Sequence, residues 1–238
     1  YEIRLSLVGS EMCIRDSIKA LNLSLTLPEE IRILKTTMAE EGGAGGYTRM
    51  DYIVVEEQIA RMKPQQASYL LAHELFHVLT RNNPDFREKM YKLIGFSIAP
   101  EEFEVPADLR DVVITNPDVN RFDSYARFRV KGEERPCAML IYANKPYEGG
   151  SFFNYLTIGL MPLKNGKAEQ KDGKTVVYGI KDVENFFEQV GRNTDYIINP
   201  EEILAENFAF LLTRKPVTET PELIEKMRQA LQPQADRH

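Results

Sequence analysis

The 238-residue sequence contains no tryptophan, two cysteines and three histidines. Two cysteines cannot build the disulfide framework that holds small secreted domains together. No stretch approaches the roughly 18 apolar residues that a membrane-crossing helix requires, so none of the residues present is expected to span a bilayer. A basic block is also missing. The balance of 30 Lys+Arg against 36 Asp+Glu gives a formal charge of −6. Binding a phosphate backbone depends on clustered Lys and Arg, so nucleic acid is not an expected partner. Internal repeats and low-complexity tracts are absent as well. What the chain does have is 43% hydrophobic residues, enough to core one large domain or two small ones.

Residues 1–17, from Tyr1 to Ser17, show neither a helical nor a strand period and break off before Ile18-Lys19-Ala20. From Leu7 onward they resemble the in-frame translation of a transposase-type sequencing adapter, and Tyr1-Glu2-Ile3 matches the flow-cell end of the same primer. The expectation is a non-native segment over 1–17, excluded from fold reasoning as an expression scar would be, with a native N-terminal arm as the alternative. Cys13 leaves with that segment, and Cys137 then has no intrachain partner.

Periodicity and punctuation divide the remainder. Leu21 to Leu27 alternates apolar and polar residues and stops at Pro28, which predicts a strand. Glu41 to Gly46 is glycine-rich and reads as a hinge or loop; it lacks the strand-before, helix-after context of a phosphate cradle. Tyr47 to Val55 is a β-prone run. Pro64 can open a helix, and Gln66 to Arg81 continues it without Gly or Pro until Asn82-Asn83-Pro84. That helix is apolar nearly all round, which places it centrally. A second helix is expected over Phe86 to Phe96, closing near Gly95.

The middle of the chain changes character. Phe122–Val130, Pro136–Ala143, Ser151–Met161 and Lys174–Ile180 alternate or are rich in β-branched and aromatic residues. Turns are expected between them at Gly132, Asn144-Lys145-Pro146, Gly149-Gly150, Asn165-Gly166 and Asp172-Gly173. These make a β-rich insertion over about 122–180. Helices are then predicted over Ile180–Val190, from Asn199-Pro200 to about Thr213, and over Pro221–Leu231.

Chemistry concentrates in the central helix. His73 and His77 stand four apart in His73-Glu74-Leu75-Phe76-His77, so both imidazoles project from one face, a turn apart, and can reach a single ion. Glu74 lies beside them, placed to hold water on that ion. The alternative, two incidental core histidines, would bury polar groups among Leu70, Leu71, Ala72, Val78 and Leu79 at a cost. Zinc is the expected metal, one ion, with three protein ligands and one position left open. A third histidine is not on offer: positions 80 and 83 are Thr80 and Asn83, and His238 is terminal. Cys137 follows the histidines in a predicted strand. A carboxylate is left, and Glu202 and Glu206 sit at i and i+4 on an otherwise apolar helix. Glu202 also has a plainer reading, since with Asn199 as N-cap it falls at the capping-box position.

At these residues the chain resembles the gluzincin metallopeptidases, whose signature joins HExxH to a downstream Glu-x-x-x-Asp helix. The resemblance covers two short segments. It implies an α+β, zincin-like metallopeptidase domain over 18–238, with a central HExxH helix, a mixed sheet and the β-rich insertion. It implies His73, His77 and Glu202 as ligands, Glu74 as general base, and Glu206 as the group that hydrogen-bonds His73. Glu206 stands where the pattern has Asp, and its extra length leaves it open as the ligand itself. The activity implied is zinc-dependent hydrolysis of a peptide or protein substrate. The competing expectation is a non-proteolytic zinc-binding domain with an interaction or regulatory role, and a third is a metal-free binding protein. The oxyanion of such a reaction needs a donor. Tyr196, just upstream of the ligand helix, is the first candidate, with Tyr155, Tyr142 and Arg192 as competitors. The resemblance also suggests Tyr47–Val55 as a strand for pairing with an extended substrate, an interior strand being the other reading.

Overall fold

In the computed structural model, which describes residues 2–233, the chain begins with a helix, α1 (Glu2–Ala20). The segment without a helical or strand period in its sequence is thus helical in structure. The segment holds no proline and a single glycine, and its Leu, Glu, Met and Arg favour helix without forming an apolar stripe. Local propensity carries the helix through Ser17 to Ala20, and Ile14 is buried. A helical backbone says nothing about where those residues came from.

No strand forms over Leu21–Leu27. That segment is irregular, and the Ser24 N–H donates to the Leu231 carbonyl at 2.7 Å. Alternation prepares a surface, but a strand also needs a neighbour to complete its ladder, and among the described residues no strand pairs with it. The first strand is β1 (Arg32–Thr36). The predicted run Tyr47–Val55 is a hairpin, β2 (Gly46–Arg49) and β3 (Tyr52–Glu56). It reverses beside Met50, whose φ of 55° belongs to the left-handed region. The sheet order is β1-β3-β2, with β1 parallel and β2 antiparallel to β3. It is therefore a mixed sheet, as expected, and β3 buries Ile53, Val54 and Val55 at its centre.

The predicted central helix is α2 (Pro64–Asn82). The Lys63 N–H donates to Gln66 Oε1 at its start, and the Asn83 N–H closes on the Leu79 carbonyl at its end. Every residue from Leu71 to Thr80 is buried. The helix packs against β2, β3 and α1. Next comes α3 (Pro84–Leu93), whose Phe86 N–H is capped by Asn83 Oδ1 at 3.0 Å.

Two compact units result. One holds the elements up to Leu93 together with the chain from Leu204 onward, and the other is Ile94–Ile203. The second is wider than the predicted insertion of about 122–180. It contains β4 (Phe96–Ile98), β5 (Val113–Ile114), β6 (Ser124–Val130), β7 (Glu133–Ala143), β8 (Leu156–Lys164) and β9 (Lys167–Ala168). Their order is β4-β6-β7-β8-β9, with β5 also on β7 and every pairing antiparallel. A separate hairpin joins β10 (Gln170–Lys171) to β11 (Lys174–Thr175). The turns at Lys131-Gly132, Asn165-Gly166 and Asp172-Gly173 each have positive φ at both residues, the geometry that matches strand twist in tight hairpins.

The predicted strand Lys174–Ile180 shortens to Lys174–Thr175, followed by a bridge from Tyr178 to Leu160. The predicted helix Ile180–Val190 is broken into a 3-10 turn at Ile180–Asp182 and a short α4 (Phe186–Val190). Ahead of it, Val183 bridges to Val130 and Asn185 Oδ1 accepts the Arg129 N–H, so the β-sheet captures the residues that apolar spacing assigned to helix. The last two helices, α5 (Pro200–Thr213) and α6 (Pro221–Leu231), match expectation. The whole is an α+β arrangement with six α-helices among the described residues. None of those helices is long and apolar enough to cross a membrane.

Candidate metal centre

On α2, Tyr69, His73 and His77 repeat every four residues; on α5, Glu202, Glu206 and Phe210 do the same. Residues four apart stack along one face of a helix. The two faces meet in antiparallel register. The Tyr69 and Phe210 ring centroids are 5.6 Å apart. His73 Nδ1 lies 3.1 Å from Glu206 Oε1. His77, His73 and Glu202 each offer a ligand atom, all within 4.8 Å of one another. Because α5 is one unbroken helix, the first two rungs carry Glu202 to the third. Aromatic packing beside the rungs supports this register: Phe76 lies 5.5 Å from Phe208 and 5.6 Å from Phe86.

His73, His77 and Glu202 are all buried. The two imidazoles are 4.9 Å apart, centroid to centroid, and nearly perpendicular. Two ring nitrogens and a carboxylate oxygen so close together, out of water, form a donor set suited to zinc with one coordination position to spare. The carboxylate of Glu206 beside His73 Nδ1 favours the tautomer protonated there, which leaves Nε2 as the nitrogen with a lone pair to offer. Glu202 also fills the role read from its place in the helix, since its N–H donates to Asn199 Oδ1 at 3.0 Å. Its side chain is used differently: Oε1 accepts from Asn116 Nδ2 at 2.6 Å. Capping falls to the backbone, and the carboxylate accepts from a neutral amide.

Glu74 is only 2% exposed. Its Oε2 accepts a hydrogen bond of 2.8 Å from Thr48 Oγ1. A Cβ on Gly46 would lie 2.9 Å from Glu74 Oε1, 3.2 Å from Leu70 Cδ1 and 3.3 Å from the Val54 carbonyl. Gly46 and Thr48, two apart on β2, therefore face α2 together and cradle both oxygens of this carboxylate. Comparison with family models, curated proteins and solved structures gives no match. The residues themselves carry the reading.

The remaining candidates stand as follows. Tyr196 is in the loop before α5, 39% exposed, with its N–H on Thr194 Oγ1. The Tyr155 hydroxyl donates to the Gly149 carbonyl at 2.7 Å and accepts the Glu148 N–H. Tyr142 lies in β7 opposite Thr157, and the Arg192 guanidinium rests 4.3 Å from the Phe187 ring centroid. Cys137 is buried in β7, where loss of solvent pushes its thiol up to about 12, far from the thiolate a metal would need. The segment expected to pair with substrate divides between an edge strand, β2, and an interior one, β3.

Five residues at the site escaped the sequence reading, among them Asp118, which is buried and offers a ligand atom within 4.8 Å of those of Glu74 and His77. Gly46 had been absorbed into a flexible loop, although a glycine entering a strand is a known sign of close backbone approach. Tyr69 continues the four-residue series backwards from His73 and could have been found by extending it. Thr48 and Asn116 carry no local signal, because their roles depend on which strand and loop come to lie beside α2 and α5.

Proposed function

We propose that the chain is a zinc-dependent peptidase in which His73, His77 and Glu202 hold one ion and Glu74 is the general base. The observation that carries this reading is the convergence of two imidazoles and a carboxylate within 4.8 Å, beside an acid on the next residue of the same helix. A zinc ion there supplies a Lewis acid for the attacking water and for the scissile carbonyl. Glu74 takes the proton of that water and returns it to the leaving amine, and Thr48 and Gly46 fix where its carboxylate stands. Glu206 orients His73 and strengthens it as a ligand. Tyr196 is the proposed donor to the oxyanion. β2, the last strand in the sheet order, is the strand proposed to pair with an extended substrate. Asn116, which holds Glu202, also lines a cavity of about 220 Å³ walled by Val113, Ile114, Val119, Met139 and Ile141. That is below the size of whole-ligand pockets and fits a single apolar side chain. The fold reading that goes with this function is zincin-like, and the donor set and the Glu206–His73 contact support its gluzincin branch.

A second reading, a zinc-binding domain with a regulatory or interaction role and no turnover, is favoured by the near-complete burial of Glu74. Metal analysis of the purified chain together with hydrolysis of a mixed peptide library tests both. The peptidase reading requires one zinc per chain and cleavage by the wild type that Glu74→Gln abolishes while retaining the metal. Stoichiometric zinc without cleavage supports the second reading, and a metal-free chain overturns both.

A further inference from the structure

The cavity of about 220 Å³ lies wholly within the Ile94–Ile203 unit, and one of the groups around it has no part in the metal site. Most of its polar side chains are engaged with one another or with the backbone. Glu102 Oε2 accepts the Phe122 N–H, and Arg121 Nε pairs with Asp123 Oδ2 at 2.6 Å. Asn116 donates to Glu202 and accepts the Asp118 N–H. Asn199 differs. It is 6% exposed, and its Oδ1 is committed to the Glu202 N–H, which fixes which end of the amide is oxygen. Its Nδ2 is buried and meets no acceptor among the described residues. A buried donor left unmatched carries the full penalty of having lost water. An occupant that brings an acceptor relieves that penalty, and one that is apolar throughout does not.

We propose that this cavity binds an uncharged group with an apolar body and one hydrogen-bond acceptor, which Asn199 Nδ2 engages. The substrate role that follows rests on the zinc-peptidase reading: the group is the side chain next to the cleaved bond, glutamine or tyrosine in preference to leucine or phenylalanine. Two asparagines join the cavity to the metal site, since Asn116 holds the Glu202 carboxylate and Asn199 its backbone N–H. A single neutral donor cannot compensate a buried anion, and a cation brings nothing that Nδ2 can use. A cavity of about 150 Å³ is enough for benzene, so this one has room for a ring or its aliphatic equivalent with a polar atom attached.

The test compares acetophenone with α-methylstyrene, which has the same shape but a methylene in place of the carbonyl oxygen, by methyl NMR of the full chain. Acetophenone is expected to shift the methyl signals of Ile114, Met139 and Ile141 and to bind about ten-fold or more tightly than α-methylstyrene. Asn199→Asp keeps the cap acceptor and removes the donor, and it should erase that preference; Asn199→Ser, which also caps, repeats the comparison if the Asp variant does not fold. Silence at those methyls, or a preference that survives loss of the amide, overturns the pocket. In peptide hydrolysis, acetophenone should raise KM and leave kcat unchanged, and glutamine or tyrosine beside the cleaved bond should raise kcat/KM about ten-fold or more over leucine or phenylalanine. Cleavage indifferent both to acetophenone and to those pairs overturns the substrate role. A chain that binds acetophenone at these methyls but cleaves no peptide removes the peptidase reading and leaves the pocket standing, so the two failures are distinct.

Discussion

His73 and Glu74 are neighbours in sequence, yet they are held by unlike structures. His73 belongs to the face that α2 shows α5, where three pairs of residues at four-residue spacing lock together. Glu74 points to β2, where one hydroxyl and one missing side chain hold it. The helix face has contacts in reserve: losing one rung leaves two others, together with Phe76 on Phe208 between the same helices. The strand face has no such reserve, because a methyl group at Gly46 would press to within 2.9 Å of Glu74 Oε1 and force the carboxylate to shift. Binding and turnover should therefore separate cleanly by mutation.

The largest effect should come from the helix face at its metal-binding end. His73→Ala and His77→Ala are each expected to abolish stoichiometric zinc, measured by elemental analysis. Glu202→Ala should cost more zinc affinity in chelator competition than Glu206→Ala, whose loss is expected at about 10- to 100-fold for a group that only orients a ligand. The reverse order would make Glu206 the ligand. On the strand face, Gly46→Ala should lower kcat by about 100-fold or more, within the range attributed to a general base, while zinc content stays at the wild-type level. Zinc loss in that variant would break the contrast between the faces. The smallest effect is expected from Thr48→Val, which deletes a hydrogen bond to a charged group worth about 1.5–3 kcal/mol. It should reduce kcat by about ten-fold or somewhat more, with KM little changed, and Thr48→Ser should restore most of it.

The same contrast explains what could be read in advance. Elements set by local punctuation were legible: Pro64 and Asn83-Pro84 bracket α2, Asn199-Pro200 opens α5, Pro221 opens α6, and Asn165-Gly166 and Asp172-Gly173 turn their hairpins. So were the helix-borne site residues, whose spacing states which face they share. Errors fell where a partner decides the outcome. Leu21–Leu27 had the pattern of a strand, but no strand among the described residues pairs with it. Ile180–Asn185 had helix-like apolar spacing and was claimed by Val130 and Arg129 of the sheet. The amphipathic stripe missing from residues 1–17 did not prevent α1, which packs against α2 all the same. Thr48 and Asn116 fall in the same class as these errors, for a strand and a loop acquire meaning only from what they touch.

The evenly spaced ladder between α2 and α5 has a further implication. Sliding α5 by one turn, about 5.4 Å, would bring Glu206 opposite His77 and Phe210 opposite His73, a near-copy of the present alignment with a benzene ring where the orienting acid belongs. Polar spacing cannot tell these two settings apart. Hydrophobic contacts do, because the Tyr69–Phe210 and Phe76–Phe208 contacts exist in only one of them. In that sense four greasy rings act as the index mark of a ratchet, choosing which carboxylate an ion would encounter.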